Sequence, residues 1–252
     1  MPQKIKREQF LQPISLQEIA PFIATTVFLD SMLFFVVDDY AMGFVRGALV
    51  QKVADRHHAK LRGNALNILV LGDLAGGWGQ AAKNLMTQLA NPWTYLKQKF
   101  DVLSWGEEAG RTLAIGVLFD HYLATFHSTV VQEKEAVQIR KAIEQSLHQV
   151  SFRLPPSVIA VVKNTGSGAV KSLVQTVVME AGHLKKKGGE QKGGFKVLDR
   201  LFSGVNSSLQ EASIQIVQAL AQEGALFVNQ LKENFDAQWI KYPKKGAKKS
   251  VV

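Results

Sequence analysis

Asn67-Ile68-Leu69-Val70-Leu71-Gly72-Asp73-Leu74-Ala75-Gly76-Gly77-Trp78-Gly79-Gln80 is the stretch whose reading decides the fold. With Leu66, its first part is a short, nearly all-apolar run of β-favourable character. Such a run suits a strand buried on both faces of a parallel sheet. Good helix formers follow from Gln80 to Leu89, and Asn91-Pro92 closes the unit. A glycine-rich turn between strand and helix lets a ligand approach the backbone. The helix N-terminus beside it offers unpaired N–H groups, and ligands of open α/β sheets bind beyond the carboxyl ends of the strands. Gly72 to Trp78 is therefore the candidate ligand site, with a purely structural turn as the plain alternative. The glycines at 72, 76, 77 and 79 do not fit the dinucleotide GxGxxG spacing. Thr165 to Ser172 superficially resembles a Walker A loop, but Val170 stands where a Gly must precede Lys171.

Working outward, residues 1–14 read as a tail. Ser15 and Glu18 have capping-box spacing, and Pro21 suits a first helical turn. Apolar residues then run to Val37, and a second helical pattern covers about Tyr40 to Arg62, ended by Gly63-Asn64. Phe100 to Ser104, Leu113 to Phe119 and Ser157 to Lys163 read as further strands. Helical patterns cover about 132–149, 168–182 and 220–238, and residues 195–202 and 213–217 read as a closing antiparallel pair. No internal repeat is visible. Strands alternating with helices predict an α/β sheet with helices on both faces. The expected organisation is a helical N-terminal extension at 1–45, a main domain at 46–240 and a basic tail at 241–252.

The chain of 252 residues is 46% hydrophobic, enough for a real core. It has no cysteine, which excludes disulfides and fits a reducing, cytoplasmic setting. No metal-ligand spacing occurs among its six histidines, so no metal is expected. The formal charge of +9 favours polyanionic partners, nucleic acid first and anionic membrane second. Lys185, Lys186 and Lys187 in one run, and Lys244, Lys245, Lys248 and Lys249 in the tail, are the candidate phosphate contacts. Solvated charge or a nuclear-import signal are the other readings of these runs. Ala20 to Val37 contains Pro21 and Asp30 and is short for a membrane span, so it reads as a buried helix. The N-terminal helices are more apolar than a surface extension needs, so they are expected to pack on the domain, on a partner protein or on another copy.

Leu71-Gly72-Asp73-Leu74-Ala75-Gly76-Gly77-Trp78-Gly79-Gln80 resembles the first motif of FtsJ-type RNA 2′-O-methyltransferases, including viral cap enzymes. The resemblance implies a Rossmann-like methyltransferase fold with S-adenosylmethionine held by Gly72, Asp73, Gly76, Gly77 and Trp78. It also implies a catalytic Lys-Asp-Lys-Glu set. Lys52, Asp120, Lys163 and Glu211 stand in that order, and the fit spans about Lys52 to Val217. The pattern departs from the family at Ala75, where Pro is usual, and at His121-Tyr122 after the Asp.

In that chemistry Lys163, tuned by Asp120 and Glu211, accepts the proton of a ribose 2′-hydroxyl or stabilises the alkoxide, with Lys52 as second cation. In-line placement of the methyl group supplies much of the rate. Each residue also has a plain reading, such as a solvated helix position for Lys52 and a helix cap for Asp120. Three function classes follow: an RNA 2′-O-methyltransferase acting on a cap or ribosomal RNA, a non-catalytic relative binding RNA or protein, and an all-helical membrane-associated protein.

Overall fold

The computed structural model describes residues 14–31, 38–71, 102–126, 128–150 and 224–242, with scattered positions between 157 and 222. The elements in chain order are α1 (Leu16–Ser31), α2 (Asp38–Arg56), β1 (Lys60–Leu61), α3 (Ala65–Leu71), α4 (Val102–Phe126), β2 (Val130–Val131), α5 (Glu133–His148) and α6 (Ala225–Trp239). Helix makes up 82% of what is described, and the sheet is one parallel pair, β1 against β2. The expected Rossmann-like α/β fold is therefore wrong.

The error lies in two apolar runs. Leu66 to Leu71, read as the first strand, is the body of α3, where Ala65, Leu69 and Val70 are buried at helical spacing. Leu113 to Phe119, read as another strand, is the middle of α4. There Leu113, Ala114, Ile115, Val117, Leu118 and Phe119 are all buried. α4, enclosed on nearly every side there, loses its 3.6-residue signature and looks like a two-faced buried strand, and α3, at seven residues, is too short to show one. Val102 to Ser104 belong to α4, and Ser157, Ala160, Val161 and Ile214 to Ile216 are helical as well. Residues 195–202 and 168–182 lie outside the described residues.

Helix ends follow local chemistry. Ser15 and Glu18 form the expected capping box, with Ser15 N–H donating to Glu18 Oε2 (3.1 Å) and Glu18 N–H to Ser15 Oγ (3.3 Å). Pro21 falls in the second turn of α1. α2 stops at Arg56, short of Gly63. His58 takes a left-handed backbone (φ 52°), and the chain turns into β1. Gly63 is also left-handed (φ 59°) and starts the turn into α3.

α4 is the hub. α1 packs on α4 and α2, burying Ile19, Phe22, Ile23, Ala24 and Val27, so the N-terminal helix shares the core of the later ones. Partners Phe22–Lys52 and Glu18–Arg56 make α1 antiparallel to α2. Arg46–Thr112 and His57–Asp120 make α2 parallel to α4. Asn64–Glu133 and Leu69–Arg140 make α3 parallel to α5. The chain thus runs through two helix–strand–helix units, α2-β1-α3 and α4-β2-α5, laid side by side in the same sense. Lys60 N–H donates to Thr129 O (2.9 Å) and Arg62 N–H to Val131 O (3.0 Å) where their strands join.

α6 closes the bundle over α4 and α5. It buries Phe227, Leu231, Phe235 and Gln238 on one stripe. Trp239 stacks on Phe235 (6.0 Å between centroids) and meets Tyr122 edge-on (4.9 Å). The Tyr122 hydroxyl donates to Glu135, and burial together with that carboxylate pushes the phenol pKa up.

α2 and α4 approach closely at Gly116, where an added Cβ would lie 2.9 Å from Leu49 Cδ2 in the core. Gly116→Val is expected to cost about 1–3 kcal/mol through overpacking, seen as a lower urea midpoint with unchanged slope. Gly116→Val combined with Leu49→Ala should cost less than the two single variants together, because the second removes the clash created by the first.

Candidate functional site

Two polar constellations cross this apolar bundle. The larger runs from α1 to α3. The Thr26 and Thr112 hydroxyls lie 3.2 Å apart, and Arg46 Nε donates to Thr112 Oγ1 (3.1 Å). Arg46 Nη2 pairs with Glu108 Oε2, and Arg111 Nη1 donates to Glu108 Oε1 (2.8 Å). Arg111 Nε approaches Glu144 Oε1 at 3.8 Å, and Arg140 Nη2 pairs with that same oxygen. Arg140 Nη1 then donates to Leu69 O (2.6 Å) and Val70 O (3.1 Å), capping the last turn of α3. A cation there complements the negative end of the helix.

Burial varies along this chain. The Arg46 and Arg140 side chains are 9% and 8% exposed, whereas Arg111 is 37% exposed and forms the solvent edge. Burial alone would raise the Glu108 carboxyl pKa, but Arg46 and Arg111 outweigh it and hold it below the ordinary 4.5. Burial lowers the Arg140 guanidinium, Glu144 opposes this, and Arg46 and Arg111 lower it further. Arg140 Nε is buried with no hydrogen-bond partner.

The second constellation ties down the lead-in to α1. Asp120 Oδ2 accepts the Ile14 N–H (2.9 Å), and Oδ1 meets His57 Nε2 (2.8 Å). The Asp120 and His57 side chains are 2% and 8% exposed. Nearby, Arg56 Nη1 donates to both Glu18 oxygens at 2.7 Å.

Of the residues selected from sequence, Asp120 sits within α4 with both carboxylate oxygens occupied. Lys52 is half-buried on α2, its ammonium 5.7 Å from the Phe22 ring centre and close enough to Glu18 to lower that carboxyl. Glu211 is helical and exposed. Lys163, the SAM-motif residues Gly72, Asp73, Gly76, Gly77 and Trp78, and Lys185, Lys186, Lys187, Lys244, Lys245, Lys248 and Lys249 lie outside the described residues. Among the described residues the partners of Asp120 are His57 and the Ile14 N–H. Among the described residues no group of His, Cys, Asp and Glu could hold a metal ion.

Sequence reasoning missed Arg46, Arg111, Arg140 and Glu144. Signals for them exist. Arg46 interrupts the apolar run Gly43 to Val50, and Arg140–Glu144 and Glu108–Arg111 have helical i,i+4 and i,i+3 spacing. No protein-family model, curated protein or solved structure matches this chain.

Two stability outcomes follow. Asp120→Ala leaves a buried N–H and a buried imidazole without their acceptor, which costs about 2–5 kcal/mol. Hydrogen exchange should show the loss first at Ile14 to Ile19. Glu108 has a depressed folded pKa, so its stabilisation is present above pH 4.5 and is lost as pH falls through the lower folded value. Denaturant titrations of wild type and Glu108→Gln should differ most near neutrality and converge in acid.

Proposed function

We propose that this protein is a helical RNA-binding protein that holds the phosphate backbone through lysine-rich segments outside the described helices. The observation that carries this reading is the placement of charge. Within the described residues acidic side chains slightly outnumber basic ones, although the chain as a whole is +9. The positive excess therefore belongs to the remaining stretches, densest at 185–192 and 244–249. Clustered lysines of this kind release counterions from a nucleic-acid backbone and bind with little sequence choice.

A membrane surface is the less supported polyanion. No described helix is long and apolar enough to cross a membrane. The described apolar side chains of α1 are buried against α4 and α2, not presented outward. Catalysis through Asp120 also lacks support, because its carboxylate is enclosed and doubly engaged.

Replacing Lys244, Lys245, Lys248 and Lys249 by Gln should weaken binding to single-stranded RNA and flatten the log–log salt dependence by up to about 3 units. Unchanged affinity and slope would remove the reading. Co-sedimentation with anionic vesicles in place of RNA binding would transfer the same lysines to a lipid surface.

A second reading rests on Leu71 to Gln80 alone. The likeness of that segment to a methyltransferase motif supports S-adenosylmethionine binding by Gly72, Asp73, Gly76, Gly77 and Trp78. Calorimetry should then show saturable binding that Gly77→Arg abolishes, and absence of binding at millimolar ligand would end this reading.

A further inference from the structure

The ion chain has an imbalance where α4 meets α5. Three guanidiniums, Arg46, Arg111 and Arg140, share two carboxylates, Glu108 and Glu144. Glu108 is well used, with each oxygen taking one arginine. Glu144 is not. Its Oε1 alone serves both Arg111 and Arg140, and the Arg111 Nε contact at 3.8 Å is too long for a hydrogen bond. Arg140 Nε, on the guanidinium whose Nη2 meets that oxygen, is buried with no partner among the described residues. One carboxylate oxygen is therefore shared by two guanidiniums, of which Arg140 keeps a buried, unpartnered Nε–H and Arg111 lies at the solvent edge. A buried N–H without a partner is destabilising, more so on a charged group.

A phosphate group is the anion that suits this arrangement. It offers several acceptor oxygens and up to two charges, and guanidinium forks bind it through paired N–H groups. Arg111 is partly open to solvent, and the Glu144 side chain is 30% exposed, so it can swing aside. We propose that Arg111 and Arg140 form a phosphate-binding site in which the ligand takes the place Glu144 Oε1 now occupies between them. Glu108, itself paired with Arg46, holds Arg111 from behind, and the Leu69 and Val70 carbonyls hold Arg140. The phosphate comes either as a free ion or as part of an RNA backbone. The site lies in the helical body and does not depend on the lysine runs.

The test uses the full chain and two single variants, Arg111→Gln and Glu144→Gln, each checked for wild-type helical content. Inorganic phosphate is titrated by calorimetry at ionic strength held constant with chloride. The expected result has opposite signs: Arg111→Gln weakens phosphate binding about tenfold or more, whereas Glu144→Gln tightens it by removing the competing carboxylate. A merely structural role for the two residues predicts losses in both. Phosphate binding no stronger than chloride, or equal in all three proteins, overturns the proposal. Competition by phosphate against a short single-stranded oligoribonucleotide assigns the site to the RNA backbone, and phosphate binding without competition assigns it to a free phosphate. The variant lacking the four tail lysines should bind phosphate as wild type does, which separates this site from the RNA reading.

Discussion

The α4 helix is enclosed on almost every side and still carries two inward-paired carboxylates, Glu108 and Asp120, and the need to partner them arranges the helices around it. Glu108 and Asp120 are twelve residues apart on α4, about 18 Å along the axis and about a third of a turn apart around it. Each must find its partner on a different neighbour or remain in water. Glu108 draws Arg46 from α2 and Arg111 from α4 itself, and through Arg111 the chain extends to α5. Asp120 draws His57 from beyond the end of α2 and the backbone N–H of Ile14. These pairs fix the sense and register of α2 against α4 more sharply than apolar contact alone, which tolerates sliding and repacking. Removal of one partner is expensive because it strands the other charge in the core.

That register also explains the doubled architecture. Once α2 and α4 run parallel, the chain leaving each helix meets the other's continuation, and β1 pairs with β2 in parallel register. The helices that follow, α3 and α5, inherit the same relation. Arg140 of α5 fastens it by capping α3, and Glu133 accepts the Asn64 N–H at the start of α3. Arg46 and Arg111 each stand nine residues before an aspartate, Asp55 and Asp120. The two arginines converge on the same carboxylate, Glu108. The sequence shows little of this correspondence because the units differ in length and in nearly every apolar side chain.

What was legible in the sequence was local. The Ser15–Glu18 cap, the amphipathic α5 and the general position of α6 carry signals within a few residues. The fold class was not legible, because it hung on Leu66 to Leu71 and Leu113 to Phe119. Such runs present no polar face to either period, so the strand and helix templates score alike. Length was the available arbiter. Val102 to Phe126 contains neither proline nor a glycine-rich turn, and 25 residues of that kind argue for one helix rather than a strand with flanking segments. For Asp120 the correction concerns its element: the apolar run before it is helix α4 and not a strand. An aspartate at the end of an apolar run looks alike whether it faces a cleft or pairs inside a core. The lone Arg46 within an apolar run was the better clue, since a buried guanidinium demands a carboxylate nearby.

The same demand bears on function. Cations consumed inside a bundle contribute little to the field outside it. The Arg46 and Arg140 side chains are buried against carboxylates, hydroxyls and carbonyls, and Arg56 is closed onto Glu18. A helical body so neutralised from within cannot itself attract a polyanion over long range, since paired charges cancel beyond a Debye length of about 8 Å. Under the proposed reading attraction then falls to the lysine runs, while the half-exposed Arg111 acts only at contact distance. Long-range attraction by unpaired charge and short-range contact by oriented guanidiniums are physically separate effects, and under the proposed reading they fall on separate segments of this chain.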